Sequence, residues 1–407
     1  MRGLPPPSEK TLRFARWWLL GLSIAFWLWH RPWFVQDDVR LYYTAIEGLW
    51  GGSLPYRDQA FAYPPYALAW LLLPGLSRGL EGFWIAFAVE VFACDLALKG
   101  FLLAAGARLA AGWASLLPCA LYSAAGALQH FLFFQRLDVF AAAATTIALV
   151  MADRARWLVA GLLIGIAGGT KVFALLMTPT LAFLAWRQER AQRFFTGLYV
   201  SFFPLAVVGL WMPWWEFAFA HTGRGLQVES LYASVLWLLA KVGLLSMEWV
   251  RVSNFYEVHG PGVSALTVAS KVIWIVLVGC SVWRSCLASR VEGASNLGGL
   301  VQATWLPVLA FVTFGPVLST QFMLWLAPLA ALVVLKQGTA AGALYMIAAF
   351  LTPVVFPSPQ YETGLTLAQT TALVCRNLLL VALWVREWGA LSAHRHIKQS
   401  SPSAGGL

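Results

Sequence analysis

The stretch VQDDVRLYYTAIEGLWGGSLPYRDQAFAYPP, residues 35–65, decides how the rest of the chain is read. It is a polar island with a 12-residue amphipathic core. Leu41, Ala45 and Leu49, together with Val39, Tyr42 and Ile46, recur at helical spacing over 38–49, which predicts a helix lying along a membrane surface. Gly51-Gly52 ends that helix, and Pro55, Pro64 and Pro65 punctuate the remainder of the stretch. On either side the chain turns apolar. Over all 407 residues, 60% are hydrophobic and 11% charged. A soluble domain carries about 25% charged residues, so this composition excludes a water-soluble globule as well as a disordered or disulfide-stapled chain. The class it predicts is an all-α polytopic membrane protein.

Apolar runs fall at 14–30, 83–105, 113–128, 138–152, 157–170, 172–186, 194–213, 265–284, 300–317, 319–335, 339–356 and 365–385, giving about 12 transmembrane helices. Parity places both termini on one side. The shorter runs 64–77 and 231–247 read as half-inserted or surface helices on the far side. Charge supports this threading. If the N-terminal Arg2, Lys10, Arg13 and Arg16 are cytoplasmic, that side collects sixteen basic residues against five acidic ones. Twelve basic and thirteen acidic residues then remain outside or within spans. The first helix has no small-residue cleavage site and is expected to be retained. The chain reads as a single transmembrane domain, 1–407, with its first outside loop at 31–65 and a disordered tail at 399–407. Trp17, Trp18, Trp33, Trp186, Trp214, Trp215 and Trp388 sit at span ends as interfacial anchors. The five cysteines show no CxxC spacing and are expected to pack among helices.

The chemistry-bearing residues collect in the outside loops. Asp37 and Asp38 come just after the first span. A carboxylate there can take a proton from a hydroxyl of a membrane-proximal acceptor, or can cap the surface helix, and the two roles are compatible. The loop FAHTGRGLQVES, 219–230, offers His221, Arg224, Gln227 and Glu229; arginine and histidine suit a phosphate clamp. Arg136 and Asp138 precede another span, and Lys171 lies between two short ones in GGTKVF. A transporter more often binds near the bilayer midplane, on broken helices. Residues gathered on one face suit an enzyme acting on lipid-linked molecules, with a transporter or flippase of lipid-linked glycans as the alternative. No Walker A, GxGxxG, HExxH or nucleophile-elbow motif is present.

The first loop also resembles that of polyprenyl-phosphate-mannose-dependent α-mannosyltransferases of the glycosyltransferase-C (GT-C) superfamily, glycosyltransferase family 87. The resemblance is carried by Asp38, Tyr42, Ala45, Gly48 or Gly51, Pro55-Tyr56 and Tyr63-Pro64-Pro65. Shorter support comes from Arg136 and Asp138, GGTKVF, RGLQVES and STQFMLWLAP at 319–328. It implies a GT-C-like fold and an inverting, metal-independent hexosyl transfer, of a mannosyl group in that family's manner, from a polyprenyl-phosphate-sugar donor to a glycan or glycolipid hydroxyl. The active site would be on the extracytoplasmic face of the plasma (inner) membrane, with no cofactor beyond the lipid-linked donor and no nucleic acid. Carried onto this chain, the catalytic base is Asp38, with Asp37 second. His221, Arg224 and Lys171 would hold the donor phosphate. Tyr42, Arg57, Asp58, Tyr63, Arg136, Asp138, Gln227 and Glu229 would bind substrate. One departure is Ala62, where relatives carry an acid before Tyr-Pro-Pro.

Overall fold

A computed structural model describes residues 7–29, 37–219, 222–252, 255–290, 296–355 and 365–399. In chain order its helices are α1 (Glu9–Trp29), α2 (Asp37–Trp50), α3 (Tyr66–Leu72), α4 (Gly79–Leu109), α5 (Leu117–Leu128), α6 (His130–Phe133), α7 (Asp138–Asp153), α8 (Trp157–Thr170), α9 (Thr178–Arg187), α10 (Ala191–Val208), α11 (Glu216–Phe219) and α12 (Leu231–Lys241). A hairpin of β1 (Glu248–Val252) and β2 (Phe255–His259) comes next, and α13 (Val263–Ala288), α14 (Leu297–Phe314), α15 (Phe322–Gln337), α16 (Thr339–Val355) and α17 (Leu367–Gln399) complete the chain.

Each apolar run of the sequence carries helix over most of its described length, and α2 occupies the expected surface-helix segment within a residue at either end. Among the described residues α10, α13, α14 and the Leu367–Leu391 part of α17 are each long and apolar enough to cross a membrane. Several other apolar helices are shorter: α8, with 14 residues, is about 21 Å long. Burial separates the interior from the lipid-facing rim. α14 is buried almost all round, as a helix apolar on every face must be when it lies in the middle of a bundle. α13 instead exposes Val268, Val272, Ile275 and Val276, and α10 exposes Tyr199, Val200 and Phe203. Such surfaces are stable against hydrocarbon and not against water. All five cysteines are free.

Small residues set the closest helix crossing. A Cβ on Gly161 of α8 would lie 2.0 Å from the carbonyl oxygen of Phe194, and one on Gly197 of α10 would lie 2.0 Å from that of Leu158. The two backbones therefore touch, which is how apolar helices associate where water does not drive them together. Gly197→Ala is expected to force them apart and lower stability by about 1–3 kcal/mol. A thermal unfolding midpoint in detergent equal to that of the unmodified chain would contradict this packing.

Two breaks in regular structure shape one end of the bundle. Gly168 and Gly169 close α8, because a Cβ at either would collide with Leu175 or Tyr66. Lys171 then takes extended backbone before a 3-10 turn, Val172–Met177, that leads into α9. Against this break lies α3, whose seven residues reach only about 10 Å, too short to cross. Trp70 stacks on Phe140 at 4.5 Å and donates its indole N–H to Thr170 Oγ1 at 3.0 Å, while the Tyr66 hydroxyl donates to the Ser201 carbonyl.

The structure adds an element that the helical reading does not anticipate. β1 and β2 pair antiparallel, with Trp249 opposite Val258 and Arg251 opposite Tyr256. The 226–228 segment joins their edge, since Val258 N–H donates to the Leu226 carbonyl and Val228 N–H to that of Tyr256. Leu226, Val228, Val258, Trp237 and Val263 bury a small apolar cluster beneath it. A further shift concerns α14 and α15: the break expected near 317–319 spans 315–321, because Gly315-Pro316 ends α14 early. The tail expected at 399–407 lies outside the described residues beyond Gln399, where α17 ends.

Candidate functional site

Helix α7 gives the bundle a ruler. Its C-terminal Asp153 pairs with Arg108 at 2.8 Å. Its N-terminal Asp138 lies about 22 Å away along the axis, at the end where the Lys171 break, α2 and the hairpin gather. Six residues that the sequence singles out meet there.

Asp38 is the centre. Its Oδ1 accepts a hydrogen bond from the Tyr63 hydroxyl at 2.8 Å, and its Oδ2 pairs with the Arg136 guanidinium. Asp138 accepts the Trp325 indole N–H at 2.5 Å on Oδ1, and its Oδ2 lies 3.3 Å from Lys171 Nζ. Lys171 Nζ also sits 4.4 Å above the centre of the Tyr63 ring, a cation–π contact that ties the two carboxylates into one network. Tyr42 packs edge-on to Tyr63 at 5.5 Å and is fully buried.

The local sequence explains why these groups converge. Asp37 and Asp38 both lie in the first turn of α2, where acidic side chains meet the positive end of the helix dipole. Consecutive helical residues point about 100° apart, so only one can face the bundle. Asp38 does, with its side chain 24% exposed; Asp37 is 71% exposed and meets Arg251 of β1 at 3.5 Å. After α2, Gly52 at φ +88° turns the chain back, and Gln59 Nε2 clamps the return by donating to the Ala45 carbonyl. The Tyr56 hydroxyl donates to the Tyr63 carbonyl at 2.8 Å, fixing the backbone that aims the Tyr63 ring.

These neighbours set the electrostatics. Burial pushes the Asp38 carboxyl upward, but Arg136, the Tyr63 hydroxyl and Lys171 outweigh it and hold the group below the ordinary aspartate value. Burial, reinforced by the Asp38 charge, raises the Tyr63 phenol well above its usual range, so it is a hydrogen-bond donor at neutral pH. Arg224 is pushed down to about 10 by burial, opposed by its interactions with Tyr63 and Glu257, and is cationic at neutral pH. That interaction places Arg224 within electrostatic reach of Tyr63.

Other residues expected at the site have different partners. Arg57 and Asp58 form a bidentate pair with each other at 2.8 and 2.9 Å, and Asp58 also takes the Leu54 N–H. They staple the outward turn of the loop, because the turn points them to solvent. Replacing both by Ala should leave folding and activity near those of the unmodified chain; a large loss of activity would put them back at the site. Glu229 has its own set of partners. It is buried, accepting from Thr320 Oγ1 at 2.8 Å and Arg376 Nη1 at 2.7 Å, while its carbonyl takes Arg376 Nη2 and Asn377 Nδ2. Gln227 is used through its backbone, which donates to the Pro316 carbonyl and bridges to Glu257 of β2. His221 lies outside the described residues.

Trp325 is a site residue that the sequence does not single out, although STQFMLWLAP contains it. It stacks between Phe322 at 4.0 Å and Phe173 at 4.3 Å, which fixes the indole that holds Asp138. Glu257 is another. It accepts the Gly225 N–H at 2.9 Å and so shapes the loop that carries Arg224.

The arrangement offers one half-buried carboxylate beside three cationic side chains at one end of a membrane bundle. No family model matches the sequence, and no curated protein matches it. The fold is similar to that of ArnT from Cupriavidus metallidurans, whose crystal structure has undecaprenyl phosphate bound. That likeness covers 93% of this chain and 77% of ArnT, with a TM-score of 0.50 and 12% sequence identity. The architecture is therefore an all-α polytopic membrane fold like that of ArnT.

Proposed function

We propose that the chain is an inverting, metal-independent glycosyltransferase. It moves a hexose, mannose on the resemblance of its first loop, from a polyprenyl-phosphate-sugar to a hydroxyl of a membrane-associated glycan or glycolipid. The observation that carries this reading is Asp38, held by Tyr63 and Arg136 beside Lys171 at one end of the bundle. A GT-C-like fold like that of a protein solved with undecaprenyl phosphate supports a lipid-phosphate co-substrate.

In this reaction the acceptor oxygen forms a bond to the anomeric carbon as the bond from that carbon to the phosphate oxygen breaks. The hydroxyl proton passes to Asp38, and the electron pair of the broken bond leaves with polyprenyl phosphate. Arg136, Lys171 and Arg224 meet the charge developing on that phosphate, and fixed cations in a half-buried site can supply several kcal/mol of such stabilisation. Tyr63 orients the base and Tyr42 supports Tyr63. The charge asymmetry of the loops supports an extracytoplasmic face for this end and cytoplasmic termini.

A flippase would need polar groups along the bundle centre. The mid-helix charges of α4 there are closed on themselves: Lys99 Nζ binds Asp95 at 2.7 Å and Ser23 at 2.6 Å. The test is release of polyprenyl phosphate from short-chain donors carrying mannose, glucose or arabinose, with and without EDTA. Acceptor-dependent release that ignores EDTA and is fastest with mannose is expected; release abolished by EDTA would overturn metal independence.

A further inference from the structure

Each oxygen of Asp38 is engaged in this structure, Oδ1 by Tyr63 and Oδ2 by Arg136. A carboxylate held this way is a weak base, poorly disposed to take a proton from a hydroxyl. The charges around it are already matched. Asp38 is set against Arg136 and Asp138 against Lys171. A phosphodiester arriving among these four groups adds a negative charge, and one cation has to be shared.

The two pairs are not equally able to give way. Asp138 is completely buried, pinned by Trp325, and its partner Lys171 is further held over the Tyr63 ring. The Asp38–Arg136 pair is the more open one, with side chains 24% and 10% exposed. The cation that can move toward an incoming phosphate without leaving a completely buried charge unpaired is Arg136.

We propose that Arg136 is a shared cation: it neutralises Asp38 in the empty site and turns to the donor's phosphodiester when the donor binds, so that the donor itself frees Asp38 to act as base. This rests on the donor-binding reading above. It makes Arg136 both a phosphate ligand and the positioning residue that sets when the base is active. Its consequence is an order of events, because an acceptor hydroxyl meets a competent base only after the donor is seated.

The groups facing Asp38 from each packed element are few. They are Tyr42 on α2, Tyr63 before α3, Arg136 and Asp138 at the start of α7, and Lys171 after α8, while Asp37 points outward. Arg224 acts beyond them through Tyr63, and Arg251 of β1 lies beside Asp37. If Arg136 moves away and an anion takes its place, both changes favour the protonated form of Asp38. Donor binding then draws in a proton at acidic pH.

The probe is farnesyl methyl phosphodiester, which carries one fixed negative charge over this range and no sugar to transfer. Calorimetric titration of the full chain in detergent at about pH 4, near the ordinary aspartate value, in two buffers of different ionisation enthalpy counts the protons exchanged. The unmodified chain is expected to take up roughly half a proton or more per site. Asp38→Asn should bind the probe with that uptake removed, while the conservative Asp37→Asn should retain it. Binding with no uptake, or equal uptake in Asp38→Asn, would overturn the shared-cation proposal and leave the donor site standing. No binding by the folded, unmodified chain would overturn the donor-site reading itself, and this proposal with it.

Discussion

Asp38→Asn is expected to reduce sugar transfer by about 10²–10⁴-fold, the usual share of a positioned base, while the protein stays folded. Asparagine keeps the shape of the side chain and can still accept from Tyr63, so the loop that returns from α2 has its anchor. What it lacks is the capacity to take a proton and the charge that opposes Arg136. Asp37→Asn is the control within the same turn. Its side chain is 71% exposed and meets only the exposed Arg251 among the described ion pairs, so its loss should cost little in rate. If Asp37→Asn silenced transfer and Asp38→Asn did not, the base would have to be reassigned and the loop would have to rearrange to bring Asp37 inward. Loss of transfer in Asp38→Asn together with loss of the unfolding transition would mean that Asp38 holds the fold instead.

The second large effect concerns the buried pair of Glu229 and Arg376. Arg376→Met is expected to destabilise the protein by about 3–5 kcal/mol, because it leaves Glu229 with its charge buried and only Thr320 to satisfy it. Arg376 is wholly buried in α17 and donates to both the carboxylate and the carbonyl of Glu229, so it ties the 222–230 loop to the last helix. Replacing the pair together, Arg376→Met with Glu229→Gln, should recover part of the loss, since the uncompensated charge is then gone. The thermal midpoint in detergent, tracked by tryptophan fluorescence, checks both. A normal midpoint in Arg376→Met with transfer abolished would return Glu229 to the substrate site.

Glu229 shows where the sequence stops being informative. Its loop holds His221, Arg224, Gln227 and Glu229 within ten residues, and spacing alone makes them a cluster. In the folded chain Gly225 and Leu226 are drawn onto β2, which leaves Arg224 toward Tyr63 and turns Glu229 toward α17, 147 positions later. The partner of a buried charge at that separation is set by packing, which periodicity does not encode. The hairpin escapes for a related reason. EWVRV and FYEVH are short alternating segments after an apolar run, and their pairing becomes visible only with the 226–228 edge beside them.

Other features are legible because one local rule governs each. Apolar length marks the helices of the bundle, and 3.6-residue spacing marks α2. The polar residues at helix ends, Asp38, Tyr63, Arg136, Asp138 and Lys171, each stand out separately in the sequence, and the fold brings them into one network. That Asp38, and not Asp37, faces inward depends on the rotation of α2 against Phe87 and Tyr63, which Tyr42 fixes by packing on both. Trp325 has no signal of its own, as one tryptophan among 22 in the chain.

The most direct test of the central claim is transfer of mannose from a synthetic short-chain polyprenyl-phosphate-mannose to a glycolipid acceptor by the purified chain. The product's anomeric configuration is read by NMR. The account predicts a mannosyl product of configuration opposite to the donor's, with polyprenyl phosphate released in equal amount. A product that retained the donor's configuration, or lipid-linked sugar crossing liposomes with no phosphate released, would contradict it.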